Sequence, residues 1–172
     1  MMKTKVLSSV VIAAGLLFGA TSLSYADSKT YPASECVRWD ERVDPVTFLN
    51  FGRRFNPSTT LRLRLDCPAV KDRSTDVRNS WIRVIDQHPN DQVCAQFIAY
   101  KQLGALTVIR GTPQLCTTLA FVSATPVQLN TGALAAIPAD AHYYFSVLRI
   151  PMNFNGAVSG VVTYAVDEVD FE

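Results

Sequence analysis

Little in this sequence would carry out chemistry. It has two histidines and four cysteines among 172 residues, and it contains neither a glycine-rich phosphate-binding motif nor the G-x-S-x-G motif of many serine hydrolases. Its formal net charge of +1 is too small to attract nucleic acid by bulk electrostatics. We therefore expect a protein that is not an enzyme, needs no cofactor and does not bind nucleic acid.

The one long hydrophobic run lies at the N-terminus. Two lysines precede an apolar stretch over residues 10–20, and small side chains at Ser24 and Ala26 follow it. This pattern is typical of a secretory signal peptide cleaved after Ala26. It predicts a signal peptide at 1–26 and one secreted or periplasmic domain at 27–172, with no transmembrane segment after cleavage. The alternative is an uncleaved anchor, for which the apolar stretch is short against the ~20 residues of a spanning helix.

Four cysteines follow the predicted cleavage site, and all of them lie far apart. Cys36, Cys67, Cys94 and Cys116 are separated by 31, 27 and 22 positions. An even number in an exported chain indicates two disulfides. Zinc is the alternative, but its sites are typically built from close cysteine pairs. Of the three possible pairings we expect Cys36–Cys67 with Cys94–Cys116, each restricting the unfolded chain by about 3–4 kcal/mol.

Hydrophobic residues alternate with polar ones along most of the chain. Leu61, Leu63 and Leu65 alternate with charged side chains, a period of two that places all three on one face of a β-strand. Similar segments are separated by turn residues, and Asn155-Gly156 is the strongest signal for a tight hairpin. We predict an all-β fold, an antiparallel β-sandwich of about eight strands, with a β-barrel as the alternative.

Both ends of the predicted domain are polar. Residues 27–33 show no clear alternation, and we expect them to be irregular. Four acids lie close to the C-terminus: Asp167, Glu168, Asp170 and Glu172. Because carboxylates are strongly hydrated, we expect this end to be solvated.

The polar loop from Asp86 to Asp91 is the first candidate site. Carboxylates and imidazoles are ligands that cations bind, which makes Asp86, His88, Asp91 and the second histidine, His142, candidate metal ligands. A histidine beside a carboxylate is also how a general base is built. The alternative is a turn in which Asp, Asn and Pro side chains bond the local backbone.

Arginines and tyrosines form the second candidate site. Arg62 and Arg64 share one face of a predicted strand, and guanidinium groups bind carboxylates and phosphates through paired hydrogen bonds. Tyr143 and Tyr144 are neighbours on a later strand, so one of them points outward, where it could stack on a sugar ring. The alternatives are a solvated sheet face for the arginines and a place in the core for the rings. The partner would be a glycan or another envelope component.

Five short segments of the chain form a recognisable set when they are taken in sequence order. They are Ala33–Trp39, Asn56–Thr60, Leu65–Pro68, Ser80–His88 and Tyr144–Pro151. In these segments the chain resembles a loose group of exported bacterial proteins of unknown function. The resemblance implies an exported bacterial protein and assigns no catalytic residue. Members of the group often have a cysteine where this chain has Leu148, and this chain has Cys116 instead.

These observations lead to two functional hypotheses. The first is a non-enzymatic exported β-sandwich that binds a ligand or serves in the envelope or at the surface. The second is a carbohydrate-binding or metal-assisted module that uses the Asp86–Asp91 loop, His142 and an exposed tyrosine. A pilin-like assembly subunit is a third possibility, although the sequence after Asp27 is too polar for a donor strand.

Overall fold

The computed structural model describes residues 27–41, 47–72, 76–103, 105–119 and 122–169. The predicted signal peptide, residues 1–26, lies outside the described residues. Apart from one 3-10 turn at Ala33–Glu35, the regular structure in these ranges is β-strand. No helix in the described part of the chain has the length and hydrophobicity needed to cross a membrane.

The structure describes twelve strands. In chain order they are β1 (Asp27–Pro32), β2 (Val37–Arg38), β3 (Phe48–Asn50), β4 (Arg53–Phe55), β5 (Leu63–Ala69), β6 (Val77–Asp86), β7 (Cys94–Leu103), β8 (Ala105–Gly111), β9 (Leu115–Cys116), β10 (Ser123–Asn130), β11 (His142–Ile150) and β12 (Gly160–Glu168). Eight of them have six or more residues. The other four, β2, β3, β4 and β9, have two or three residues each, too few for alternation to show in the sequence.

The strands form two antiparallel sheets of six strands each. Sheet A has the order β10-β6-β12-β4-β3, and β1 also pairs with β12. Sheet B has the order β2-β5-β11-β7-β8, and β9 also pairs with β7. The predicted antiparallel β-sandwich is therefore confirmed, and the described strands do not close into a barrel.

The core lies between the two sheets and follows the alternation in the sequence. On β5, Leu63, Leu65 and Cys67 are fully buried, whereas Leu61 lies before the strand and is 50% exposed. Both sheets contribute large buried side chains: Ile82, Val84, Phe97, Tyr143, Phe145, Ile150, Tyr164 and Val166. Because burial of apolar area is the main favourable term in folding, this inner layer stabilises the sandwich.

Two disulfides fasten short elements to sheet B. Cys36, which follows the 3-10 turn, is bonded to Cys67 on β5. Cys94 on β7 is bonded to Cys116 on β9, and the two are also register partners in the sheet. These are the two pairs that the spacing led us to expect.

The two ends of the domain pair with each other, contrary to the expectation of an irregular segment at 27–33 and of a solvated Glu168. Asp170 and Glu172 lie outside the described residues. β1 runs antiparallel to β12, with Asp27 opposite Glu168. Glu168 is only 1% exposed, and its Oε2 accepts a hydrogen bond of 3.0 Å from Nζ of Lys29. The ammonium group of Lys29 offsets the cost of burying the carboxylate of Glu168. These polar segments can therefore pair as β-strands.

Asn155 and Gly156 form the predicted tight turn but not a hairpin between paired strands. Their φ angles of +52° and +86° are those of a left-handed turn, and the flanking Phe154 and Ala157 form a β-bridge. The turn lies between β11 of sheet B and β12 of sheet A. The chain therefore uses it to cross from one sheet to the other.

Candidate functional site

Asp86, the first residue of the predicted metal loop, holds that loop in place. The residue is 1% exposed. Its Oδ1 accepts hydrogen bonds from the backbone N–H of His88 (3.1 Å) and the hydroxyl of Ser159 (3.2 Å). Its Oδ2 accepts from the backbone N–H of Val93 (3.2 Å) and the hydroxyl of Thr117. Four protein donors therefore occupy this carboxylate, which supports the turn interpretation rather than the metal one.

The carboxylate of Asp91 is likewise engaged by hydrogen bonds and ion pairs within the protein. The residue is 6% exposed, and its Oδ2 lies 2.8 Å from Nε of Arg62. Its Oδ1 accepts from the backbone N–H of Gln92 (2.9 Å) and lies 3.5 Å from Nε of Arg149. Arg62, a predicted ligand-binding residue, is thus engaged by a partner within the protein.

His88 and His142 lie at opposite ends of β7. His88 belongs to the loop that enters β7, and its Nδ1 accepts a hydrogen bond of 3.2 Å from the N–H of Asn90. His142 is the register partner of Tyr100, six residues beyond Cys94 at the start of β7. At a rise of ~3.3 Å per residue, Tyr100, and with it His142, lies about 20 Å along β7 from Cys94, at the end of the strand where the His88 loop enters.

The structure therefore corrects the expectation of a joint metal or acid–base site. Ligands of one cation lie within about 2.6 Å of it, a distance that the separation of the two histidines does not allow. Among the residues described, no cluster of three or more histidine, cysteine or carboxylate side chains could hold a metal ion. The four candidates Asp86, His88, Asp91 and His142 are not brought together.

The neighbours Tyr143 and Tyr144 point to opposite faces of sheet B. Tyr143 is 1% exposed and belongs to the core, where its ring centroid lies 5.3 Å from that of Phe97. Tyr144 points outward, and its ring lies 5.1 Å from that of Tyr100. Tyr100 in turn lies 5.4 Å from the ring of His142. Three rings therefore form a row on the outer face of sheet B.

A groove of about 290 Å³ lies on this outer face. We call it the outer groove, and its lining comes from Val37, Trp39, Asp66, Pro68, Tyr100, Tyr143 and Tyr144. Cross-strand pairing creates it, because Val37 lies opposite Asp66 and Tyr144 lies opposite Pro68. Aromatic and aliphatic walls with a few polar groups are the usual composition of a small-molecule site.

Trp39 stands at the boundary between the outer groove and a second depression. The residue is 56% exposed, and Cζ of Arg64 lies 4.0 Å from the centroid of its ring. The second depression, of about 120 Å³, is lined by Trp39, Arg64, Ser146 and Leu148. A ligand bound across the ring of Trp39 would therefore contact Arg64 on one side and the residues of the outer groove on the other.

The polar groups of the outer groove have complementary hydrogen-bonding capacity. Burial, the carboxylate of Asp66 and the ring of Tyr100 raise the pKa of Tyr144, in that order. Its phenol is therefore neutral near pH 7 and can both donate and accept a hydrogen bond. The Asp66 carboxylate accepts and the Arg64 guanidinium donates. The groove can thus bind a neutral ligand that is rich in hydroxyl groups.

Of the four predicted ligand-binding residues, two lie at the outer face and two do not. The side chains of Arg64 and Tyr144 line the two depressions. Arg62 pairs with Asp91, and Tyr143 borders the outer groove but has its ring packed in the core. The sequence-based candidates lack Asp66 and Tyr100. Asp66 could have been found, because it is two positions from Arg64 and shares its face. Tyr100 could not, because its place beside Tyr144 depends on the pairing of β7 with β11.

No protein-family model and no curated protein sequence matches this chain. Among solved structures, it is similar to a family two carbohydrate esterase from Cellvibrio japonicus, with a TM-score of 0.44 and 9% identity. That similarity covers 86% of this chain, which spans only 35% of the esterase chain. It is also similar to a CBM4 structure, with a TM-score of 0.37, 9% identity and coverage of 83% and 84% of the two chains. Neither similarity carries an argument about what this chain binds.

Proposed function

We propose that this chain is an exported, non-catalytic protein that binds a carbohydrate in the outer groove. The observation that supports this function best is the set of outward-facing rings, Trp39, Tyr100 and Tyr144, around the carboxylate of Asp66 on one face of sheet B. The assignment replaces the Asp86–Asp91 loop of the sequence-based hypothesis. It retains the idea of an exposed tyrosine, and His142 stands beside Tyr100 at the edge of the row.

The chemistry of a sugar fits this arrangement. A pyranose ring has apolar C–H faces and a rim of hydroxyl groups. Flat aromatic rings bury the apolar face with little loss of side-chain freedom, as Trp39 and Tyr144 can do. Charged groups such as Asp66 and Arg64 form stronger hydrogen bonds than neutral ones, and so can orient the hydroxyl groups.

Export is supported by the sulfur chemistry. Both disulfides lie within the sandwich, where Cys36, Cys67 and Cys94 are buried and Cys116 is partly buried. Such bonds persist in oxidising compartments and are rare in reducing ones. Together with the N-terminal pattern that ends at Ala26, this supports a secreted or periplasmic protein.

The surroundings of the Ser146 and Ser80 hydroxyl groups favour a binding role over catalysis. Ser146 lines the second depression, and in the described part of the chain it has no hydrogen bond to a histidine. The hydroxyl of Ser80 is bonded to Thr131 at 2.7 Å and to the carbonyl oxygen of Gly132 at 2.7 Å, inside the protein. Activation of a serine needs a base within hydrogen-bonding distance.

The proposal is tested by a glycan array followed by calorimetric titration of the strongest hit. We expect Trp39→Ala and Tyr144→Ala each to weaken binding at least tenfold, since each removes a ring from the outer groove. The matched control is Trp81→Ala. Trp81 lies in sheet A and also carries an arginine over its ring, with Cζ of Arg83 at 5.1 Å from the centroid.

Two outcomes would contradict the proposal. One is an array with no hit at high protein concentration. The other is a hit whose affinity falls equally in Trp39→Ala and Trp81→Ala, which would show a general loss of structure rather than the loss of a binding ring. Hydrolysis of a bound glycan or its acyl esters would refute the non-catalytic part alone.

A further inference from the structure

The hairpin formed by β3 and β4 carries an exposed aromatic residue at its tip. Asn50 and Arg53 are register partners, so Phe51 and Gly52 form a two-residue turn. Their φ angles of +48° and +76° are typical of a type I′ turn. Glycine and asparagine suit such positions, whereas phenylalanine in a left-handed conformation is energetically unfavourable. Phe51 is nevertheless present and is 96% exposed.

The hairpin is held firmly despite its position at the edge of sheet A. The N–H of Ser34 donates a hydrogen bond of 2.9 Å to the carbonyl oxygen of Gly52. The guanidinium of Arg54 donates to the carbonyl oxygens of Ala33 (3.4 Å) and Ser34 (2.9 Å) and to the hydroxyl of Thr47 (2.7 Å). The turn at Ala33–Glu35 is in turn followed directly by the disulfide-bonded Cys36. The exposed ring of Phe51 is therefore carried by a hairpin that is anchored to the rest of the domain.

Two further apolar side chains are exposed on β3 and, as neighbours on one strand, they point to opposite faces of the hairpin. Phe48 is 54% exposed and Leu49 is 52% exposed. Together with Phe51 they form what we call the apolar tip, which exposes roughly 400 Å² on the usual areas of such side chains. A specific protein interface buries about 800 Å² on each partner. The apolar tip is too small for a stable dimer, whereas a few inserted side chains are enough to contribute to membrane binding.

Positive charge lies beside the apolar tip. Arg53 follows the turn directly and is exposed. Within the described ranges, neither Arg53 nor Arg54 forms an ion pair with a carboxylate, and Arg54 donates its hydrogen bonds to neutral oxygens. Arginines flanking exposed aromatic and leucine side chains are characteristic of protein segments that lie in a lipid headgroup region.

We infer that the apolar tip docks on a membrane surface that contains anionic lipid, with the Phe51 ring inserted among the headgroups. Arg53 pairs with lipid phosphate at the same depth. Anionic lipid is favoured over neutral lipid because each arginine near such a surface gains electrostatic attraction. This inference does not rest on the proposed carbohydrate site, which lies on sheet B.

Cosedimentation with lipid vesicles tests whether the apolar tip docks on an anionic membrane surface. Protein in the form that the cell produces, with its N-terminus established by mass spectrometry, is mixed with phosphatidylcholine vesicles with and without phosphatidylglycerol. We expect binding to the vesicles that contain phosphatidylglycerol and at least a tenfold lower partition coefficient for Phe51→Asn. Asparagine tolerates a positive φ, so this variant keeps the turn. Arg53→Ser should reduce the preference for anionic vesicles about fivefold.

Leu61→Asn is the matched control, because Leu61 is also half exposed but lies outside the hairpin. It should bind vesicles like the wild-type protein, and a Phe51→Trp variant should show a blue shift of its fluorescence when vesicles are added. Wild-type protein that stays in the supernatant, or Phe51→Asn that binds as tightly as wild type, would overturn the inference. A concentration-dependent dimer that Phe51→Asn abolishes would assign the apolar tip to a second copy instead.

Discussion

The guanidinium of Arg64 lies over the indole of Trp39, with Cζ 4.0 Å from the ring centroid. The backbone of Trp39 is fixed at the same place, because its N–H donates a hydrogen bond of 3.1 Å to the carbonyl oxygen of Arg64. Backbone pairing and side-chain stacking thus position one exposed ring at the edge of the outer groove.

We expect Arg64→Ala to weaken glycan binding severalfold with a change of Tm below about 2 °C. Exposed cation–π contacts contribute about 0.5–1 kcal/mol, so the loss of this one frees the indole to leave its binding position. Titration calorimetry measures the affinity and differential scanning fluorimetry measures the Tm. Arg83→Ala removes the equivalent contact from Trp81 and should leave the affinity unchanged. Equal losses in both variants would contradict a role for the stack.

Asp86 should behave as a structural carboxylate and not as a metal ligand. Asp86→Asn replaces one accepting oxygen by an NH₂ group, which cannot accept. The variant loses the hydrogen bond from the backbone N–H of His88 if this group takes the place of Oδ1, or that from Val93 if it takes the place of Oδ2. We expect a loss of about 1–3 kcal/mol in the free energy of unfolding, measured with urea. EDTA should leave the Tm of the wild-type protein unchanged. A Tm that falls with EDTA and returns with Ca²⁺ would restore the metal hypothesis.

Gly160 should not tolerate a side chain. A Cβ atom there would lie 2.3 Å from the carbonyl oxygen of Arg54 and 2.9 Å from Cα of Phe55, because β12 and β4 approach closely. We expect Gly160→Ala to cost about 1–3 kcal/mol, since backbone atoms must move apart. Gly111→Ala is the control, because its Cβ would meet its closest neighbour, the carbonyl oxygen of Phe97, at an ordinary 3.7 Å. Equal stability of the two variants would argue against the close approach.

Stability should decrease at alkaline pH. Burial raises the pKa of Tyr143 and Tyr164 above the ordinary value of 10.0. For Lys29, burial alone would lower the pKa, but hydrogen bonds to Asp72 and Glu168 outweigh it and raise the pKa above 10.5. A pKa that is higher in the folded state gives stability that is fully present below the unfolded value and is lost as the pH rises.

The loss should therefore begin near pH 10 and approach about 1.4 kcal/mol per pH unit for each group that ionises only on unfolding. Urea unfolding at several pH values between about 8 and 11 measures it. Tyr143→Phe removes one of these groups, so its curve should fall less steeply. A flat free energy of unfolding across this range would show that neither buried tyrosine resists ionisation.

The alternation on β5 shows how far the sequence alone could predict the fold. It placed Leu61, Leu63 and Leu65 on one face. Leu63 and Leu65 are buried on that face of β5, opposite Arg64, whereas Leu61 lies before the strand and is half exposed. For Tyr143 and Tyr144 it predicted that one ring points outward but not which one. Phe145 and Val147 share the face of Tyr143 and are buried with it, and the strands paired on both sides of β11 come from distant parts of the chain.

The ends of the domain show what local sequence patterns could not predict. Lys29 and Glu168 carry no signal of regular structure in their own neighbourhoods, yet the whole of β1 pairs with the part of β12 from Thr163 to Glu168. A polar segment becomes a strand here because the opposite charge is supplied from the other end of the chain. Similarly, the short strands β3 and β4 have too few residues to show a period, although they carry the apolar tip.

The sequence by itself determined that this protein is built from pleated strands with one apolar face and that its four cysteines pair. A period of two fixes the side of a strand on which each side chain lies, and this is a local property of the backbone. Only the tertiary structure decided which strands are neighbours. It thereby brought Trp39, Asp66, Tyr100 and Tyr144 into one groove and kept His88 away from His142, because strand neighbours are selected by packing between residues far apart in sequence.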